Sequence, residues 1–175
     1  MKRAGLRKFV RMALDGGASE AKIIPTGNVV TAEWVRLKCQ FGCSGFSKRH
    51  TCPPRTPTPE TTRRIVLEYR KALIYTYSRP LTLAVRRRMA RLLVAIERAA
   101  FLAGLYKAFG MGAGSCRFCS RCDTSKLCRF PELARPSMES CGIDVYATCR
   151  NSGIELEVVT RRDRNAKYVS LVLLE

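Results

Sequence analysis

Cysteines are the residues of this chain best suited to chemistry, and their spacing sorts them into groups. Cys116, Cys119, Cys122 and Cys128 form the run C-x2-C-x2-C-x5-C, with Pro131 shortly after. Three cysteines at equal steps of three let one loop supply three corners of an iron–sulfur cubane, and the fourth ligand comes from further along. A mononuclear zinc site more often draws Cys pairs from two separated knuckles. The run therefore predicts a [4Fe–4S] cluster, with zinc as the alternative metal. The second group is Cys39-x3-Cys43-x8-Cys52, followed by Pro53-Pro54. It is one ligand short of a full site. Cys141 is the expected fourth ligand, with Cys149, His50 or a non-protein group as the other candidates. Cys149 reads instead as a small buried apolar residue, the usual fate of a free cysteine. One or two clusters are thus expected.

The nine cysteines are odd in number, closely spaced and not preceded by a signal peptide. That favours metal ligation in a reducing, cytoplasmic setting over disulfides. A radical-SAM motif is excluded, because the third cysteine should follow the C-x3-C pair after two residues and here follows after eight, and the chain of 175 residues is too short for the barrel. Gly110, Gly112 and Gly114 precede the four-cysteine run, where bare backbone can approach a cluster. They do not make a phosphate loop, since no Lys-Ser or Lys-Thr follows. No carboxylate pair, Ser/His pair or Cys/His pair makes a hydrolytic centre. Arg135, Glu139 and Asp144 read as capping and loop-ordering groups, so a non-enzymatic role ranks ahead of a catalytic one.

The elements that must position these cysteines are those of one α+β domain spanning residues 1–175. A short helix over Leu6–Leu14 stops at Gly16-Gly17. A β-like run lies in Ala21–Pro25, and Val29–Leu37 reads as strand or extended chain. Thr58-Pro59-Glu60 opens a helix ending near Lys71. Ala72–Tyr77 reads as a buried strand. Leu81–Phe109 reads as one long helix with an apolar stripe through Leu92, Leu93 and Ile96. Ser137–Arg150 reads as another helix. Ile154–Thr160 and Lys167–Leu174 read as strands, joined by a hairpin across the polar stretch 161–166. The expected fold is a small mixed or antiparallel sheet of about four strands packed on helices, carrying two Cys-rich metal-binding loops.

The net charge of +18 is the other outstanding property. Arginine dominates it, and arginine engages phosphate bidentately. A polyanionic partner follows, with RNA or a ribonucleoprotein such as the ribosome first. No apolar run is long enough to span a membrane.

Several local sequences carry a resemblance. Arg36-Leu37-Lys38-Cys39, Gly42-Cys43, Cys52-Pro53-Pro54 and Lys107-Ala108-Phe109 are four of them. Gly112-Ala113-Gly114-Ser115-Cys116, Arg135-Pro136-Ser137-Met138-Glu139 and Gly142-Ile143-Asp144-Val145 complete the set. Together they resemble the DUF2284 family over nearly the whole chain. The resemblance implies metal binding through Cys39, Cys43, Cys52, Cys116, Cys119, Cys122 and Cys128, and implies no particular reaction. The high positive charge departs from what that family leads one to expect. Two alternatives to RNA docking stand beside it: an electron-transfer module for an acidic partner protein, and a zinc-stapled structural protein.

Overall fold

Strand β2 (Lys71–Ser78) is the centre of the molecule, because its alternating side chains are buried on both faces. In this computed structural model, which describes residues 3–78, 80, 82–160 and 166–175, a four-stranded antiparallel sheet has the order β1-β2-β4-β3. The others are β1 (Glu20–Pro25), β3 (Phe109–Met111) and β4 (Lys167–Leu173). Ile74 pairs with Lys22 on one side and with Leu171 on the other. Met111 of the short edge strand also pairs with Leu171.

Period-two alternation divides the core. Leu73, Tyr75, Tyr77 and Val172 face helices α1 (Arg3–Asp15) and α4 (Leu83–Leu102), meeting Phe9, Leu93 and Ile96. Ala72, Ile74, Leu171 and Leu173 face the opposite layer, where Val66, Met138, Ile143 and Cys149 pack. That layer holds α3 (Pro59–Leu67), a single 3-10 turn (Glu139–Cys141) and α5 (Val145–Asn151). The cysteine-bearing loops hang from this layer and from α2 (Trp34–Gly42).

Several elements differ from expectation for identifiable reasons. The extended reading of Val29–Leu37 fails over its second half, where α2 begins at Trp34 and buries Val35. Helix α4 starts at Leu83 with Thr82 as its N-cap, its hydroxyl accepting from the Val85 N–H at 3.2 Å, and stops at Leu102. Gly104, at φ +90°, turns the chain so that Phe109 enters a strand in place of the expected helix end. The expected helix Ser137–Arg150 is broken at Gly142, and the real helix restarts on Asp144, whose carboxylate accepts from the Ala147 N–H at 2.9 Å. Ile154–Thr160 forms no strand, and β3 pairs with β4 over Leu171–Leu173 on that side of the sheet. Residues 161–165 of the expected hairpin lie outside the described residues.

Gly142 is a position only glycine fits. Its φ is +78°, and a Cβ there would stand 2.4 Å from Cγ of Pro59, a ring that cannot swing aside. Gly142→Ala is expected to cost about 3 kcal/mol, combining left-handed backbone strain with overpacking. Denaturant unfolding should show a lowered midpoint with unchanged slope.

Candidate metal centres

The first group of cysteines is carried by an excursion with a tied neck. Between Met111 and Glu139 the chain forms neither helix nor strand. The Gly112 N–H donates to the Pro136 carbonyl at 2.8 Å, and the Met138 N–H donates to the Gly112 carbonyl at 3.0 Å. Beside this closure Arg135 forks onto Glu97 of α4, with N–O distances of 2.8 and 2.6 Å, and Glu97 also accepts from the Gly110 N–H at 2.7 Å. Arg135 is therefore a structural tie, as its capping position suggested. Arg87 of α4 donates to the carbonyls of Arg117 and Phe118 at 3.1 and 3.4 Å, and the Arg91 guanidinium lies 5.6 Å from the Phe118 ring centre. Two of the α4 arginines thus hold the cysteine loop to the helix.

Within that excursion Cys116, Cys119, Cys122 and Cys128 all line one cavity, together with Arg49, His50, Phe118 and Phe130. Burial pushes the Cys116 thiol up, and the neighbouring Cys128 and Cys119 add to the shift, while Arg49 opposes it. A metal cation reverses this balance by taking the thiolates as ligands. Buried Arg49 Nε has no hydrogen-bond partner among the described residues. An unused donor on a residue that lines the same cavity as the four thiols suits thiolate or sulfide acceptors.

Cys39, on α2, and Cys43 and Cys52, on the loop after it, form the second group. The loop is folded by short-range bonds, including Ser47 N–H to the Pro53 carbonyl at 2.8 Å and Cys52 N–H to the Arg49 carbonyl at 3.2 Å. The Pro53–Pro54 peptide is cis. Arg36, one turn before Cys39, reaches across to Thr56 and Pro57 and fixes the loop against α2. A single point beside Gly45 lies 3.5 Å from Cys43 Sγ and 3.9 Å from Cys52 Sγ. Burial raises the Cys39 and Cys52 thiols, and Cys43 raises both further. Among the described residues no three Cys, His, Asp or Glu side chains are already drawn into one ion's coordination sphere. The two groups of thiols instead border two neighbouring hollows.

The two groups abut. Arg49 acts electrostatically on Cys52 of one and on Cys116 of the other. His50 Nε2 lies 3.0 Å from the Asp123 carbonyl and joins the two loops. His50 thereby has a structural partner, in keeping with its reading as a hydrogen-bonding residue.

A family model for predicted metal-binding proteins matches residues 22–174. The chain belongs to the DUF2284 family. No curated protein and no solved structure matches it. All the cysteine groups fall inside the DUF2284 match, and all nine cysteines are free thiols. Soft thiolates in groups of three and four select zinc or iron–sulfur chemistry over hard cations. The donor set thus agrees with the family description.

Cys141, the expected fourth ligand of the second group, is 2% exposed and packs in the core with Met138, Ile143 and Cys149. It lies within electrostatic reach of Cys39, and burial pushes its thiol to about 11. Cys149 is fully buried, with its thiol also pushed to about 11, as a core residue should be. The glycines divide between roles. Gly110 lets β3 lie against Leu93 of α4, while Gly114 borders the hollow of the second group. Sequence reasoning missed Arg49, whose only signal was its place between Cys43 and Cys52, and gave Glu139 a capping role alone. Glu139 lines the hollow beside Cys39, and desolvation by the surrounding protein raises its carboxyl.

Proposed function

We propose that this DUF2284 protein is an iron–sulfur protein with two cysteine-ligated centres that shape a basic surface for docking on RNA or a ribonucleoprotein. The observation behind this reading is where the charge sits. The loop carrying Cys116–Cys128 also carries Arg117, Arg121, Lys126 and Arg129, all exposed. Lys48 and Arg55 stand exposed on the neighbouring cysteine loop. A metal centre that orders this loop therefore orders four cations against one carboxylate within Cys116–Arg129, Asp123, with Glu132 just beyond it. Such a face suits phosphate. Helix α1 adds Arg7, Lys8 and Arg11, exposed on the other side of the sheet.

A second reading rests on the contact between the two loops. Two clusters this close in one small domain suit electron transfer to an acidic partner. A zinc-stapled structural protein is the third. Metal analysis of anaerobically purified protein separates them first. We expect iron and sulfide in equal amounts, brown colour, and an electron paramagnetic resonance signal after dithionite reduction. Zinc without colour would overturn the iron–sulfur reading. No helix among the described residues is long and apolar enough to cross a membrane.

A further inference from the structure

Beside the groove that borders Cys39, Cys43 and Cys52 lies a smaller cavity with a different charge. It sits between α4 and the Gly112–Cys116 segment, and Arg86, Arg87, Arg117 and Arg135 all line it. No carboxylate lines it. It leaves about 40 Å³ for the centres of water-sized atoms, room for about three waters. The terminal oxygens of one phosphoryl group need the same space.

The charge balance of the four arginines decides what the cavity can hold. Arg135 is matched by Glu97, whose two oxygens accept from it, and Glu132 also acts on it. Arg87 donates through Nε and Nη2 to the Arg117 and Phe118 carbonyls, which are neutral, so its charge is unmatched. The half-buried Arg86 guanidinium has no hydrogen-bond or carboxylate partner among the described residues. It lies against the bare face of Gly114, where a Cβ would stand 3.4 Å from Arg86 Nη1. Arg117, exposed, is a third cation without a carboxylate partner. Glu139 lines the groove and not this cavity. Cys116 is the one thiol in the lining, and on a metal its charge is shared with the cation. Half-burying unmatched guanidinium groups is unfavourable, and an anion between them offsets that cost.

We infer that this cavity receives the terminal phosphoryl group of a phosphate monoester, held by Arg86, Arg87 and Arg117 with the Ser115 hydroxyl beside them. A monoester carries a charge of about −1.5 to −2 at neutral pH, against about −1 for a phosphodiester. Guanidinium forks match its oxygens bidentately. The cavity is too small for a sugar or a base, so the body of the molecule stays outside. In a 5′-terminal phosphate of RNA the inference rests on the docking reading above and names the end that docks. A small organic phosphate is the other source of the same group.

Calorimetric titration of the full metal-loaded chain with inorganic phosphate tests the site. Binding should saturate, and Arg86→Gln should weaken it about tenfold or more, the loss of one charge-assisted contact. Arg88→Gln removes the same charge two positions along α4, but Arg88 points towards Gly17, its Nη2 lying 3.9 Å from a Cβ built there. Its effect should stay within about twofold, as for an exposed charge away from the site. A 5′-phosphorylated oligoribonucleotide should then bind more tightly than its 5′-hydroxyl twin, and Arg86→Gln should erase the difference. Adenosine 5′-monophosphate against adenosine is the small-molecule arm, and discrimination in that arm alone would support a small organic phosphate as the source.

No saturable phosphate binding, or equal losses in Arg86→Gln and Arg88→Gln, would overturn the inference while leaving RNA docking through diester contacts intact. Phosphate binding with no preference for either monoester would overturn it as well. Binding of phosphate and of adenosine monophosphate without affinity for RNA would uphold the cavity's role and end the docking reading.

Discussion

Serine in place of Cys119 is expected to empty the Cys116–Cys128 centre and to remove tight RNA binding with it. The reason is that little else orders the loop's tip beyond the His50–Asp123 contact and the Asp123–Ser125 turn. The neck is tied by Gly112, Pro136 and the Glu97–Arg135 pair, and one flank by Arg87. Beyond these, the residues from Cys119 to Cys128 contribute no helix or strand, and Leu127 is 93% exposed. A segment with so little buried apolar surface cannot offset its own ordering entropy, on the order of 1–2 kcal/mol per residue. Metal ligation supplies that free energy directly, as it does in small metallo-domains. A hydroxyl is a far harder donor than a thiolate.

The measurements for Cys119→Ser are iron per chain and RNA affinity by filter binding at low salt. Iron should fall by about half, and affinity by at least a hundredfold. Far-ultraviolet circular dichroism should hold, because both cores lie on the sheet and not under this loop. Cys149→Ala, a change inside the second core, should keep all its metal. A Cys119→Ser protein with full iron and full affinity would refute the proposed role of this centre.

The contrast between Cys119 and Cys149 shows what a sequence makes legible. Ligand spacing is a local property, so the C-x2-C-x2-C-x5-C run could be singled out without knowledge of the fold, and its four cysteines do line one cavity. The alternation in β2 is equally local, and its two buried faces follow from it. Helix α2 is different. Val29, Val30 and Val35 favour extended chain by propensity, yet the segment from Trp34 is helical because Val35 finds a buried place and Arg36 finds Thr56 and Pro57, twenty and twenty-one residues on. Propensity is a weak prior that such tertiary contacts override. Ile154–Thr160 has the pattern of a strand but forms none, whereas β3, a three-residue edge hidden at the end of the expected α4, pairs with β4 over Leu171–Leu173. The groove could not be read at all: its walls come from α2, the 3-10 turn, α5 and β4, far apart in sequence.

Charge removal gives the second large effect, and it separates shape from electrostatics. Changing Arg117, Arg121, Lys126 and Arg129 together to glutamine leaves all the cysteines and the Arg87, Arg135 and His50 ties in place. Arg117 holds the helix only through its backbone carbonyl, which glutamine retains. Iron content should therefore match the unaltered protein. On single-stranded RNA each phosphate contact adds about 0.7 to the slope of log affinity against log salt, so losing four should flatten it by about 3. At 50 mM salt the affinity should fall about a hundredfold or more. Cys119→Ser keeps these four cations and loses the frame that aligns them, whereas the glutamine variant keeps the frame and loses the cations. If the loop is a docking face, both changes abolish tight binding, but only the glutamine variant does so with its clusters intact. An unchanged salt slope in that variant would move the RNA contacts elsewhere, with α1 and its Arg7, Lys8 and Arg11 the next surface to test.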